Sequence, residues 1–257
     1  MSGFVAALVT VLATVAPSAP PVAGVADYQL GGAYPPAADV QVVVRDRTSA
    51  PAEGTFSICY VNAFQTQPGS YAWWIKRHPD LLLRSPRTGR LVHDTGWPDE
   101  ILLDIRTPAK REKLGKVVRA WFNRCAADGY QATEPDNLDS WTRSRGFIRQ
   151  SHAEAFAKRL VSQAHYAGLA IAQKNTAELA GRKLGFDFAV VEECEVYREC
   201  GAYTKAYGRN VIEIEYTDNG RSAYARACSA RSGEISIMLR DRDVVPRGAE
   251  GYVHETC

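Results

Sequence analysis

Nowhere in the 257-residue sequence do eighteen apolar residues run together, so no segment reads as a membrane span. An excess of one charge is missing too. Lys and Arg number 31 against 29 Asp and Glu, a net of +2, and there is no basic stripe for nucleic acid. No G-x-G-x-x-G or G-x-x-x-x-G-K follows an apolar run, which removes the common nucleotide sites. The five histidines (His78, His93, His152, His165, His254) never sit four apart and no C-x-x-C pair occurs, so neither a zinc site nor any other cofactor is expected. Glycine and proline, 20 and 13, are near ordinary usage and exclude collagen-like or low-complexity chains. What remains is a chain 46% hydrophobic and 23% charged, long enough for one large domain; a monomer is expected.

From Phe4 to Val15 the chain reads FVAALVTVLATV, too short for a bilayer but of the length of a signal-peptide core. Small residues at Ala16, Ser18, Ala19, Ala23 and Ala26 offer cleavage sites, although no Lys or Arg precedes Arg45. The expectation is a secreted protein, with a leader over 1–26 and a single domain over 27–257. Six cysteines, an even number, agree with an oxidising compartment. Cys194 and Cys200 are close enough to staple a short loop, and the terminal Cys257 is placed to tie down a chain end. Six cysteines allow fifteen pairings, so Cys59, Cys125, Cys228 and Cys257 stay unassigned.

Eight short apolar runs recur along the chain: Val40–Val44, Phe56–Val61, Ile101–Ile105, Tyr130–Thr133, Leu169–Ala172, Phe188–Val191, Val211–Ile214 and Ile235–Leu239. Several are continuous rather than alternating, as strands buried on both faces require. Helical patterns lie between them. Thr107-Pro108 opens one that runs to Ala127, Ser151 with Glu154 reads as a capping box for another ending near Gly168, and Asn175-Thr176 starts a shorter one toward Arg182. Alternating strands and helices with a count of eight predict a single-domain (β/α)8 TIM barrel in the α/β class. Its short joints are the first connection, Arg45 to Thr55, and the sixth. A doubly wound open sheet is the alternative.

In such a barrel the site lies at the C-terminal strand ends. Those ends carry Asp46, Asp104, Glu134 with Asp136, Asn137 and Asp139, then Lys174-Asn175, Glu192-Glu193, and Glu213-Ile214-Glu215-Tyr216. Any single acid there reads equally well as a helix cap or a partner for a neighbouring base. Together, with no metal ligands or nucleotide motif, they suit glycosidic cleavage by a carboxylate pair. Lys174 beside the acids is placed to keep one of them ionised. Tyr60, Trp73, Trp74, Trp97, Trp141, Tyr197 and Tyr216 lie near the same loops, where sugar faces stack on such rings, although half of them read equally as core.

The segments Tyr28-Gln29-Leu30, Ile58-Cys59-Tyr60, Gly96-Trp97-Pro98-Asp99-Glu100, Leu103-Asp104-Ile105-Arg106, Glu134-Pro135-Asp136-Asn137-Leu138-Asp139, Ala164–Leu169, Lys174-Asn175, Glu192-Glu193-Cys194 with Tyr197–Cys200, and Ile214-Glu215-Tyr216 occur in that order. Together they resemble glycoside hydrolase family 114, the endo-α-1,4-polygalactosaminidases. The resemblance implies a (β/α)8 barrel that cuts α-1,4-linked galactosamine polymers of exopolysaccharide and biofilm matrices internally, with Asp136 and Glu192 as the catalytic acids. Val191 stands where the family has Asn. The residues expected to bind the polysaccharide are Asp46, Tyr60, Asp104, Glu134, Asn137, Lys174, Glu215 and Tyr216; the acidic ones would attract the ammonium groups of free galactosamine.

Asp136 is expected to be the nucleophile, held ionised by Asn137. Glu192 is expected to be the acid/base of a retaining reaction, its pKa raised by desolvation at the end of Phe188–Val191. Glu134 is the rival for either role. A carbohydrate-binding barrel without turnover and a hydrolase of another amino-sugar polymer are the competing readings.

Overall fold

A computed structural model describes residues 17–257. Its parallel strands are β1 (Ala26–Tyr28), β2 (Val42–Asp46), β3 (Phe56–Asn62), β4 (Ala132–Asp136), β5 (Ala170–Lys174), β6 (Phe188–Glu192), β7 (Val211–Tyr216) and β8 (Ser236–Arg240), each paired to the next in chain order. A ninth strand, β9 (His254–Thr256), runs antiparallel along β8. Arg240 of β8 reaches Asp27 of β1 at 3.1 Å, and His254 Nε2 meets the Ala26 carbonyl oxygen at 2.8 Å. These contacts draw the first and last parallel strands together into a nearly closed TIM barrel. The five helices α1 (Tyr71–Arg77), α2 (Pro108–Asp128), α3 (Gln150–Tyr166), α4 (Cys200–Tyr207) and α5 (Ser222–Arg231) lie between the strands in sequence.

Side chains alternate across a strand, and the register places even-numbered residues inward on all eight. Ala26, Val42, Val44, Ile58, Ala132, Ala170, Ala172, Phe188, Val190, Ile212, Ile214 and Met238 form one buried cluster in the barrel interior. Odd-numbered residues such as Val61, Ile171 and Val191 pack outward against the helices. The last residue of every parallel strand is therefore an inward one, and each is polar: Tyr28, Asp46, Asn62, Asp136, Lys174, Glu192, Tyr216 and Arg240. That ring is the raw material of the site.

The expected strand Ile101–Ile105 is not a strand of the barrel. It belongs to the long excursion between β3 and α2, where Ile101, Leu102 and Leu103 make isolated antiparallel bridges to His93, Gln65 and Leu82. Its apolar residues are buried by the excursion itself, together with Trp74 of α1 and Leu81. The strand missing from the sequence-based list is β1, too short and too polar to stand out. The count of eight survived through two compensating differences.

Thr107 caps α2 by accepting from the Lys110 backbone N–H at 3.3 Å, as expected. Ser151 and Glu154 form no capping box. Helix α3 begins at Gln150, and His152 Nδ1 accepts from the Arg149 backbone N–H at 3.2 Å instead. After Asn175 a single 3-10 turn (Ala177–Leu179) replaces the expected helix, because Thr176 sits at φ 70°. The sixth connection, read as too short, holds the two turns of α4.

Three disulfides brace the frame. Cys194–Cys200 forms as expected; Cys59–Cys125 ties β3 to α2, and Cys228–Cys257 ties α5 to the residue after β9. The Cys59–Cys125 bridge spans 66 residues, worth about 4 kcal/mol in the chain-entropy account. The hydrophobic stretch 4–15 lies outside the described residues. Ala26, the last residue of the expected leader, opens β1 and pairs with Val42, so the expected domain boundary falls inside the first strand.

Candidate active site

At the C-terminal mouth of the barrel lies a cleft of about 740 Å³. Its floor is organised by Lys174, only 2% exposed at the end of β5. The Lys174 ammonium donates to Glu134 Oε1 at 2.8 Å and to the Tyr28 hydroxyl at 2.8 Å, and lies 3.2 Å from Glu192 Oε2 and 3.6 Å from Asp136 Oδ1. Three tyrosines complete the set, one for each carboxylate. Tyr28 donates to Glu134 at 2.7 Å, Tyr60 donates to Asp136 Oδ2 at 2.6 Å, and Tyr216 donates to Glu192 Oε1. Burial pushes all three phenols well above their ordinary pKa, and the facing carboxylates push the same way, so each remains a donor.

Local backbone geometry aims the two cleft carboxylates. The residue after each of three strand ends takes a left-handed conformation: Asn137 at φ 64°, Asn175 at 49° and Glu193 at 60°. Such strain persists where the surroundings over-determine it. Here it lets Asn137 donate its backbone N–H to Asp136 Oδ1 at 2.7 Å. Asn175 meanwhile grips Glu192 twice, its amide donating to Oε2 at 3.0 Å and its carbonyl oxygen accepting the Glu192 backbone N–H at 2.8 Å.

Burial alone would raise the Glu192 carboxyl, but the Lys174 charge and the hydrogen bonds from Tyr216 and Asn175 outweigh it and hold it below the ordinary carboxylate range. The expectation of a raised Glu192 is thus reversed: the apolar run Phe188–Val191 ends in a cationic, donor-rich pocket. Glu134 is the carboxyl that burial raises, even with Lys174 against it. Lys174 itself is held well above its usual value; burial opposes the charge, but Asp136, Glu134 and Glu192 together prevail.

The rim is acidic. Eight carboxylates line the cleft (Asp46, Asp94, Glu100, Asp136, Asp139, Glu192, Glu193, Asp243) against three cations, Arg143, Lys174 and Arg242. Arg143 holds Asp94 and Asp139, while Arg242 holds Glu193 and stacks 4.1 Å over the Tyr216 ring. One wall comes from the excursion after β3, which presents Asp94, Trp97 and Glu100. Trp97 is 58% exposed there, free to stack on a sugar face.

Of the expected site residues, Asp46, Tyr60, Asp136, Asn137, Lys174, Glu192 and Tyr216 line this cleft, and Glu134 lies directly beneath Lys174. Two do not reach it. Asp104 is fully buried in the segment before α2, bound by Arg106 at 2.7 Å and by Lys110, because the segment expected as a strand end is part of the excursion. Glu215 is an odd-numbered residue of β7, so it faces the helix layer and accepts the Glu195 backbone N–H at 2.9 Å; burial raises its carboxyl to about 7. Its neighbour Glu213 likewise pairs outward, with Arg231 at 2.9 Å. Period-2 alternation from Tyr216 would have separated these acids from the cleft. Glu100 and Trp97 were carried by the Gly96–Glu100 motif, whereas Arg143 and Arg242 left no signal.

A family model described as glycoside-hydrolase family GH114 matches residues 9–257. Among solved structures, the chain is similar to Aspergillus fumigatus Ega3, determined in complex with galactosamine, with a TM-score of 0.74. Sequence identity is 21%, covering 95% of this chain and 99% of that one. It is also similar to the glycoside hydrolase domain of PelA from Pseudomonas aeruginosa, at TM-score 0.61 and 17% identity over 88% and 97% of the two chains. At these identities the likeness is one of fold. No curated protein sequence matches the chain.

Proposed function

This chain belongs to glycoside-hydrolase family GH114, and from that membership and the cleft we propose a secreted, endo-acting hydrolase of α-1,4-linked galactosamine polymers. The observation that carries the reading is the pair of carboxylates, Asp136 on β4 and Glu192 on β6, facing one lysine across an open acidic cleft. Both lie within 3.6 Å of the same ammonium nitrogen, so the facing oxygens are separated by no more than about 7 Å. We read the pair as retaining, which requires carboxyl groups roughly 5–5.5 Å apart rather than the roughly 6.5–9.5 Å of inverting enzymes; a bound of about 7 Å admits that spacing.

In the proposed reaction the Asp136 carboxylate attacks the anomeric carbon as Glu192 gives its proton to the leaving glycosidic oxygen, producing a glycosyl ester and a free chain end. Water then attacks the same carbon, Glu192 takes up its proton, and the ester bond to Asp136 breaks. The lowered proton affinity of Glu192 suits the second half, where it works as a base. The first half requires it to be protonated, so turnover is expected to rise as the pH falls.

The acidic rim supports a cationic substrate: ammonium groups along a galactosamine chain are attracted by carboxylates that outnumber cations eight to three. Ega3, whose fold this chain shares, was solved with galactosamine. Three disulfides fit an oxidising compartment outside the cell. Mass spectrometry of digests of defined galactosamine oligomers tests the reading. Internal cleavage into shorter oligomers is expected; intact oligomers, or cleavage restricted to a different sugar, would refute it.

A further inference from the structure

Most cleft carboxylates already have a cation. Asp136 and Glu192 share Lys174, Asp94 and Asp139 share Arg143, and Glu193 is bound by Arg242. Asp46, Asp243 and Glu100 have none, and of these three Glu100 is the buried one. Only 8% exposed, it accepts one hydrogen bond, from the Asn62 amide to Oε2 at 3.0 Å, and its Oε1 meets no donor among the described residues while the side chain lines the cleft. An unpaired carboxylate so deeply placed is costly unless something neutralises it.

The surrounding groups show what is lacking. Asn62 ends β3 and its Oδ1 accepts from the Asn137 amide at 3.0 Å, one residue from Asp136. Glu100 is thus linked to the reacting pair through one intervening side chain, Asn62, rather than touching either carboxylate. Burial, with Asp136 and Asp94 nearby, raises its carboxyl to about 7; the Asn62 hydrogen bond and the more distant Arg143 pull the other way without prevailing. No cation of the described residues bonds to it. Glu100 Oε1 is open to the cleft and meets no cation of the described residues, so an ammonium group of a bound sugar is a partner it is placed to take.

The geometry points to Glu100 as the receptor for the ammonium group of a sugar unit adjacent to the scissile bond, and so as the residue that distinguishes free galactosamine units from N-acetylated ones. This rests on the proposed substrate class and deepens it. An ammonium donating to Oε1 favours the ionised form of Glu100, so binding at a pH below about 7 expels the proton that the empty carboxyl carries. An acetamido group has no charge to offer and finds a partly protonated acid instead.

The test is titration calorimetry of the full chain with galactosamine tetramer and with N-acetylgalactosamine tetramer, in buffers of different ionisation enthalpy, together with turnover of both. Wild type is expected to release most of one proton on binding galactosamine tetramer at pH 6, and at pH 8.5, where Glu100 is ionised and a sugar amine of pKa about 8 is largely neutral, to take up protons instead. Glu100→Gln keeps an acceptor for Asn62 but loses the charge. In that variant the proton release should vanish and the galactosamine tetramer should bind at least tenfold more weakly. The loss should fall on KM rather than kcat, and the preference for free over acetylated tetramer should shrink at least tenfold. Asp99→Asn, which removes the adjacent exposed carboxylate outside the cleft, should match wild type.

Equal affinity and proton release in Glu100→Gln and wild type would overturn the inference alone. A collapse of kcat with KM unchanged would also overturn it, by making Glu100 a proton donor to the reaction. Wild type that neither binds nor cleaves galactosamine tetramer would sink the substrate reading and this inference with it. Should Glu100→Gln fold poorly, Glu100→Ala serves in its place: it too must lose the proton release, and keeping it would overturn the inference.

Discussion

Replacing Lys174 by Met removes the cation that Glu134, Asp136 and Glu192 share while keeping the side chain's length. Lys174 is buried and contacts Glu134 at 2.8 Å, Glu192 at 3.2 Å and Asp136 at 3.6 Å. At an effective dielectric of about 20, a pair of unit charges 3.2 Å apart interacts by about 5 kcal/mol. Desolvation of the lysine offsets part of that, and breaking a buried pair from one side costs about 3–5 kcal/mol in practice. The expected loss of unfolding free energy at pH 7 is therefore about 3–5 kcal/mol, measured by chemical denaturation.

Its pH dependence has a definite sign. Glu192, held low in the wild type, contributes stability that is present above the unfolded carboxylate value and lost as pH falls through the folded one. Without Lys174, burial is opposed only by the hydrogen bonds from Tyr28 to Glu134 and from Tyr216 and Asn175 to Glu192, and both carboxyls rise. Their contribution is then present at low pH and lost as pH rises, so Lys174→Met should gain stability between pH 8 and pH 5. Turnover should drop at least tenfold, about 1.4 kcal/mol or more. Adding Glu134→Gln removes the buried stranded charge and should restore most of the stability but not the turnover. A Lys174→Met variant with wild-type rate and wild-type stability would refute the electrostatic role given to Lys174.

Asp136→Asn and Glu192→Gln should each lower turnover by about a thousandfold or more, roughly 4 kcal/mol, and azide should rescue Asp136→Ala with a glycosyl azide of inverted configuration; near wild-type rates would remove either residue from the mechanism. Arg231→Met leaves fully buried Glu213 without its partner and should cost about 3–5 kcal/mol at neutral pH; because burial already raises that carboxyl, the loss should shrink as the pH falls, as a denaturation series would show. Trp97→Ala should raise KM for oligomers severalfold, by the roughly 1 kcal/mol that stacking on an aromatic ring provides. An unchanged KM would place the sugar elsewhere.

Strand periodicity made much of this fold legible from sequence. Runs such as Phe188–Val191 and Val211–Ile214 have no competing pattern, and their ends carry the polar ring of the cleft. The excursion after β3 is not legible in the sequence, because Ile101–Ile105 is as apolar as a barrel strand and nothing local says which surface buries it. Asp104 was carried into the expected site by that same run. Glu215 was carried in by its place near a strand end, although its parity relative to Tyr216 sends it to the helix layer. The proton affinity of Glu192 was beyond sequence altogether. It depends on Lys174, Asn175 and Tyr216 converging from β5, the loop after it, and β7, which only the closed barrel brings about.

The most direct measurement is proton NMR of the first-formed reducing end during digestion of a defined galactosamine oligomer by the wild-type chain. Attack by Asp136 with Glu192 as acid and base replaces the α-linkage twice at the same carbon, so the α-anomer should appear first and the β-anomer only by later mutarotation. A β-anomer formed first would contradict the assignment of this carboxylate pair to a retaining reaction, and an oligomer left intact would contradict the activity itself.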